Sequence, residues 1–307
     1  MSREGKGTLI TGSSGFIGSN LVSMAKSMNF SITTLDSVGK PDIKCDITDT
    51  DWGEIGLSNF NTVVHLAAKT SVSESLEKPE KFLDVNSEAT RKLFHACVEQ
   101  NVERVIFASS AAVYGSSEEE TKKIGEEGVP ESPYAETKLH GEEIARQLSS
   151  GITSFLCLRF FNVYGPLQKI DGAYSAVIPA FIQNALMSQD IEIHGDGGQT
   201  RDFIHVSDVC SAIISSLSIP LSNFSVINVG SGRGISILEL ANIISELIES
   251  TGRPPPGLIF SPARLGDVRA STADITGLDK FLDFDALTPL EVGLRDLIER
   301  TLDESNT

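Results

Sequence analysis

The 307-residue sequence is short of cations, with 25 Lys and Arg against 42 Asp and Glu and a formal net charge of −17. Such a chain repels a phosphate backbone, so nucleic acid is not an expected partner. A small anion is still admissible where a few arginines converge. Cysteine is sparse too: Cys45, Cys97, Cys157 and Cys210 are widely scattered, and no CxxC occurs. That spacing supports neither a zinc site nor a redox pair, so no metal is expected. The four thiols read as small buried apolar residues. No apolar run reaches the ~18–20 residues of a membrane span. The opening MSREGKGTLITG runs straight into a strand without the apolar core of a signal peptide. The expectation is a cytoplasmic protein that does not meet a membrane. There is no internal repeat.

What is present is ordinary for a folded protein, with 40% hydrophobic and 22% charged residues. The length suits one large α/β domain or two smaller ones. GTLIT (7–11) reads as a short apolar strand, followed by a glycine-rich turn and a helix from about Phe16 to Met28. Strands follow at 31–36, 61–68, 103–110 and 152–160, with a single long amphipathic helix at 78–100. The stretch 115–133, with its acidic run Glu118–Glu120, reads as a solvated loop. Strands alternating with helices predict a doubly wound parallel sheet.

After about Gly165 the rhythm changes. Elements shorten, Gly and Pro become frequent, and arginines enter loops such as GGQTRDF and PARLGD. This predicts a smaller C-terminal α/β domain. VINVGSG (226–232) reads as a strand returning to the first sheet. The expected division is residues 1–165, with a return segment near 203–232, against 166–202 and 233–307.

Two local patterns suggest chemistry. TGSSGFIG places Gly12, Gly15 and Gly18 between a strand and a helix. Glycines there let backbone amides approach a pyrophosphate at the positive end of the helix. Asp36 stands 18 residues after Gly18, at the end of the next strand, where an acid can bind a ribose 2′-hydroxyl and repel a 2′-phosphate. That favours NAD over NADP, although a residue closing a turn fits Asp36 as well. In SPYAETKLHGEE, Tyr134 and Lys138 are four apart, on one face of a helix. Alone, that pair fits a surface tyrosine and a solvated lysine equally.

Eight motifs in order carry more than either pattern: TGSSGFIG, CDITD, HLAA, SSAAVYG, YAETK, RFFNVYG, GDGGQTRDFIHVSDV and RLGD. With them the chain resembles, from Thr8 to about Leu282, the extended short-chain dehydrogenase/reductases, the NAD-dependent nucleotide-sugar epimerases and dehydratases. The resemblance implies a Rossmann sheet with a substrate domain, a recycled and tightly held NAD, and a homodimer joined through the helices near 78–100 and 134–149. It implies cofactor contacts from the glycine turn with Phe16 and Ile17, from Asp36 and Ser37, and from Asp46 and Ile47 beside the adenine. Leu66, Ala67 and Ala68 would pass beneath the cofactor, Asn86 would lie near its diphosphate–ribose side, and Phe161 beside the nicotinamide. Sheet packing explains Leu66 and Ala67 nearly as well.

The resemblance also implies Ser110, Tyr134 and Lys138 as the catalytic group. Ser110 would hydrogen-bond the reacting oxygen, with Ser109 as the neighbouring alternative. Tyr134 would act as acid and base, its phenol lowered by the Lys138 ammonium and the oxidised nicotinamide. Lys138 would also hold the nicotinamide ribose. The related 4,6-dehydratases carry acids after the Ser or Thr, whereas Ala111 and Ala112 stand there in this chain. Alanine moves no proton, so 4-epimerisation of a UDP-sugar is expected, with a dehydratase or reductase of the same fold as the alternative.

For the substrate, the resemblance implies Arg201 and Arg264 on the diphosphate, Asp267 on a ribose hydroxyl, and Asn162 near the diphosphate and sugar. Surface salt bridges explain either arginine too. Ala176 and Val177 would line the base pocket. His194 would reach the uridine ribose or be an ordinary loop histidine. Ser271 falls at the family's size-gating position, and its small side chain leaves room for an N-acetyl group, beside which Ser71 would add a hydroxyl. The expected substrates are UDP-N-acetylglucosamine and its galactosamine epimer, with UDP-glucose and UDP-galactose also accepted.

Overall fold

The computed structural model describes residues 6–149, 151–168, 176–263, 268–283 and 287–305. The strands are β1 (Gly7–Thr11), β2 (Ile32–Asp36), β3 (Ile43–Lys44), β4 (Phe60–His65), β5 (Arg104–Ser110), β6 (Thr121–Lys122) and β7 (Ser154–Phe160). They continue as β8 (Asn162–Tyr164), β9 (Ile191–His194), β10 (Thr200–His205), β11 (Phe224–Val229), β12 (Gly234–Ser236), β13 (Leu258–Ser261) and β14 (Ala270–Ala273). The α-helices are α1 (Phe16–Ser27), α2 (Trp52–Ile55), α3 (Val72–Glu77), α4 (Pro79–Phe82) and α5 (Thr90–Glu99). After them come α6 (Pro133–Leu148), α7 (Val177–Leu186), α8 (Val206–Ser216), α9 (Ile237–Ser250) and α10 (Leu290–Ser305).

Seven strands form one sheet in the order β11-β7-β5-β4-β1-β2-β3, every pair parallel. The chain order reverses between β1 and β4, so a crevice opens where β1 and β4 lead their connections to opposite faces. Successive residues of each central strand enter opposite cores. Ile10, Val64, Ile106 and Leu156 pack beneath α1 and α8 with Leu21, Val209 and Ile213. Leu9, Val63, Val105 and Phe155 pack on the other face with Leu93, Phe94 and Ile144 from α5 and α6. Each such side chain, fully buried, stabilises the fold by roughly 1.5–3 kcal/mol.

A second sheet has the order β12-β10-β14-β6, with β8 on β10, and β9 pairs with β13. Its core is separate, built from α7, α9 and α10 with Ile178, Phe181, Leu240, Ile244 and Leu294. Leu278, Phe281 and Leu282 return to the large sheet.

Two expectations need correction. The stretch 115–133 is not all loop: β6 lies within it and pairs with β14, tying the active-face connection to the second sheet. Helix 78–100 is not a uniform α-helix. Pro79 opens α4, residues Leu83–Ala89 widen into a π-helical segment, and α5 resumes the regular winding. The extra residue in that turn rotates the face that follows, bringing Asn86 and Ala89 inward. The cysteines are all free, three of them buried. Among the described residues, no helix is long and apolar enough to cross a membrane.

Candidate active site

The glycine turn follows β1. Gly18 sits where any side chain would collide, since a Cβ there would lie 2.1 Å from the Gly12 carbonyl oxygen. Helix α1 therefore starts hard against the end of β1. Gly15 caps that helix with ordinary extended backbone, and its Cβ position meets the Gly12 oxygen at 3.3 Å, a close approach that a shift of a few tenths of an ångström would relieve. The cradle is thus tight behind and open in front, and a pyrophosphate at a helix start needs that shape.

Asp36 ends β2 and faces this turn. One carboxylate oxygen accepts from the Ser14 amide at 2.9 Å and the other from the Val38 amide at 3.1 Å. A cavity of about 1240 Å³ opens in front, lined at this end by Gly12, Gly15, Phe16, Asp36 and Ser37. Asp46, Ile47, Leu66, Ala67 and Ala68 form its opposite wall. Asp46 closes its own turn by accepting from the Thr48 amide and hydroxyl. Ile17 and Gly18 lie behind, in the first turn of α1. These residues can take a dinucleotide: a crowded glycine turn, an acid at the second strand's end and an apolar slot lie side by side.

The second cluster lies at the C-terminal end of β5, facing α6. Ser132 caps α6 by accepting from the Ala135 amide at 3.2 Å, and Pro133 takes the first helical position, where no amide is needed. Tyr134, Lys138 and Glu142 then share one buried face. Each meets a different residue of the strand end. Tyr134 faces Ser110, whose hydroxyl favours the phenolate and also accepts from the Ala112 amide at 3.2 Å. Lys138 Nζ donates to the Ala108 carbonyl at 2.7 Å. Ser109 Oγ donates to Glu142 at 2.5 Å. Strand and helix approach this closely because position 141 is glycine, whose Cβ would lie 2.6 Å from the Phe107 ring.

Among the described residues, burial pushes the Tyr134 phenol above its usual value and Ser110 pulls it back. Lys138 stands 5.8 Å from the centre of the Tyr134 ring and is spent on a carbonyl. Burial also drives Lys138 down to about 8, against which Glu142 acts. Ser109 faces Glu142, so Ser110 alone of the two serines meets Tyr134.

Asn86 is buried, and its carboxamide is committed to protein. It accepts from the Lys69 amide at 2.8 Å and donates to the Lys69 carbonyl at 2.9 Å and to Thr137 at 3.2 Å. Its part is to clamp the loop after β4 to α6. Phe161 is buried among Val113, Tyr114 and Ala273.

On the substrate side, Arg201 of β10 lies beside Ser271 of β14 in parallel register. Asn162 donates to the Asp202 carbonyl at 3.0 Å. Ala176 and Val177 open α7. His194 ends β9, its Nδ1 2.7 Å from the Ser261 hydroxyl. The Ser71 hydroxyl caps α3 by accepting from the Glu74 amide at 3.1 Å, which is a structural duty. Arg264 and Asp267 lie outside the described residues.

Sequence reasoning missed a buried charge network behind α6. Arg159 of β7 grips both oxygens of Glu142, at 2.9 and 2.7 Å, and also pairs with Glu127. Its guanidinium lies 4.9 Å over the Tyr114 ring. One signal was available: Glu142 continues the four-residue spacing that begins at Tyr134 and Lys138.

Comparison with known proteins agrees with this geometry. Residues 8–230 match the model of the NAD dependent epimerase/dehydratase family. A UDP-N-acetylglucosamine 4-epimerase from Methanobrevibacter ruminantium, solved with UDP-N-acetylmuramic acid, is 34% identical over 98% of this chain and 100% of its own, with a TM-score of 0.88. The protein MoeE5, solved with UDP-glucuronic acid and NAD, is 36% identical over 97% of this chain and 99% of its own, with a TM-score of 0.86. A UDP-N-acetyl-α-D-glucosaminuronate decarboxylase of Bacillus cytotoxicus is 31% identical over 96% of this chain and 97% of its own. With a parallel sheet, a glycine cradle ending in Asp36 and a family match covering all of it, the chain belongs to the NAD dependent epimerase/dehydratase family.

Proposed function

We propose that the protein is a UDP-sugar 4-epimerase that interconverts UDP-N-acetylglucosamine and UDP-N-acetylgalactosamine and also accepts UDP-glucose and UDP-galactose. One observation carries the reading: the Ser110 hydroxyl faces Tyr134 and favours its phenolate, and the two positions after Ser110 are the alanines 111 and 112. A 4-hydroxyl can be deprotonated there, but those methyl side chains cannot drive loss of water from C5 and C6.

NAD, when bound, supplies a reversible acceptor for the C4 hydrogen. The rest falls to the chain. Gly12, Gly15 and Phe16 would hold the pyrophosphate, with Ile17 and Gly18 closing the turn behind them, and Asp36 and Ser37 would hold the adenosine ribose. Ser110 donates to O4 and steadies its developing charge. Tyr134 takes the O4 proton and later returns it to the opposite epimer. Lys138 holds the nicotinamide ribose. Arg201 and Arg264 grip the diphosphate while the 4-keto sugar turns, and Ser271 leaves space for the acetyl group. In this reading residues 1–165 and the return segment bind the cofactor, and 166–202 with 233–307 bind the sugar nucleotide, except where Leu278–Leu282 rejoin the large sheet. The helices near 78–100 and 134–149 would form the homodimer contact, the exposed Glu88–Arg91 and Glu143–Arg146 pairs lying on them.

The decarboxylase relative supports a second reading, oxidation at C4 followed by loss of a C6 carboxylate. Incubation with UDP-N-acetylglucosamine, UDP-glucose and UDP-glucuronic acid, followed by NMR, separates the two. Epimers from the first pair support the proposal. Carbon dioxide from the third, with no epimer from the others, replaces it.

A further inference from the structure

Three residues spaced by four on one helix touch three consecutive residues of one strand. Tyr134 meets Ser110, Lys138 meets Ala108, and Glu142 meets Ser109. The first two contacts belong to the proposed chemistry. The third has no part in it, yet it is the most heavily built. Glu142 is 4% exposed and both its oxygens are bonded, one to Ser109 and Arg159 and the other to Arg159. A buried carboxylate held this way costs several kcal/mol in desolvation, which only good pairing offsets. Apolar side chains of similar volume would fill the space at no such cost. The carboxylate neutralises the buried Arg159, and the pair as a whole is placed against the catalytic strand end rather than elsewhere in the core.

We propose that Glu142 is a positioning residue for the epimerase chemistry: fixed by Arg159, it sets the charge balance around Lys138 and locks the strand end that presents Ser110. The location makes both effects direct. Glu142 lies one helical turn beyond Lys138 on the same face, and its charge opposes the loss of the Lys138 proton. Its bond to Ser109 fixes the residue next to Ser110. Arg159 also binds Glu127, which stands in the connection between β6 and α6. The groups facing this centre are few. Tyr134 comes from α6 itself, Arg159 and Cys157 from β7, Tyr114 from the turn after β5, its phenol raised by burial, Glu127 from the connection, and His65 from β4. Burial holds His65 down to about 3 and Cys157 well above its usual value, so both are neutral at working pH. The charges left are Lys138 and Arg159 against Glu142 and Glu127, which balance. Replacing Glu142 by a neutral residue leaves an excess positive charge, and Lys138 is the group able to shed it.

The test reads Lys138 directly. In protein labelled with 15N-lysine, the Lys138 Nζ signal, assigned through Lys138→Arg, is followed from about pH 6 to about pH 11. In Glu142→Gln the midpoint is expected to fall by about one unit, the size of a close charge pair. At neutral pH, kcat should fall about tenfold with KM changed less than about twofold, the pattern of a lost transition-state interaction. An unmoved midpoint in folded Glu142→Gln overturns the proposal. So does a raised KM with kcat intact. Should Glu142→Gln not fold, Glu142→Asp is read instead: the retracted carboxylate should lower the midpoint by a smaller amount, and an unchanged value again overturns it. The inference rests on the epimerase reading only for turnover. Wild-type protein that converts no UDP-hexose sinks that reading, whereas the lysine titration stands or falls without any substrate.

Discussion

Lys138 Nζ lies 5.8 Å from the centre of the Tyr134 ring and donates to the Ala108 carbonyl rather than to the phenol. Among the described residues, the group that favours the phenolate is Ser110. Two consequences are expected. Tyr134→Phe should lower turnover by about 10²–10⁴-fold while NAD is retained as in wild type. Ser110→Ala removes the one contact that pulls the Tyr134 pKa down. The rising limb of its pH–kcat/KM profile should therefore move to higher pH. A limb that stays in place assigns the base elsewhere.

In the proposed reading Lys138 serves the chemistry and lowers stability. Burial depresses its folded value from 10.5 to about 8, so the folded state disfavours its proton. The penalty is complete below about pH 8 and fades as the pH climbs toward 10.5. Lys138→Met should therefore be inactive yet more stable at neutral pH, by up to about 3 kcal/mol. The gain should shrink in alkaline buffer. Urea denaturation of both proteins at several pH values measures it, and a variant less stable at every pH contradicts the assignment.

The two glycines at the start of α1 should fail differently. Gly18→Ala forces a Cβ to 2.1 Å from the Gly12 oxygen and should destabilise the fold by about 1–3 kcal/mol or more. Gly15→Ala meets ordinary backbone geometry and an open front, so thermal stability should hold while NAD affinity falls. Melting curves with and without NAD separate the two. Equal loss of stability in both variants would deny that the front of the turn faces the cofactor.

Asp36 has two tasks, holding the Ser14 amide and facing the cavity. Asp36→Ala should lose both and weaken NAD binding by about tenfold or more. Asp36→Asn keeps an acceptor for Ser14 and should lose less. Its relative affinity for NADP should rise, because the charge that repels a 2′-phosphate is gone. Calorimetric titration with the two dinucleotides decides this.

The parts of the molecule legible in the sequence were those with strong local rules. All six strands expected around the first sheet are present, because burial on both faces makes most of their central positions apolar. The glycine turn and Asp36 converge as their spacing implies. What escaped was set by long-range packing. The π-helical turn at Leu83–Ala89 carries no breaker residue and is selected by the clamp of Asn86 on Lys69. Strand β6 has two residues and exists only because β14, some 150 positions later, offers an edge. Around Tyr134, four-residue spacing fixes which side chains share a face, not which partner each chooses. Lys138 found a carbonyl, and Glu142, one turn farther along, found an arginine from another strand.

The central claim is that C4 of the sugar is oxidised and then reduced within one closed pocket. UDP-N-acetylglucosamine deuterated at C4, incubated with the purified protein in ordinary water, tests it most directly. The expected product is UDP-N-acetylgalactosamine with its deuterium still on C4 and no solvent hydrogen at that carbon. Exchange of the label with solvent, or hydrogen lost from C5 and C6 without any epimer, would contradict it.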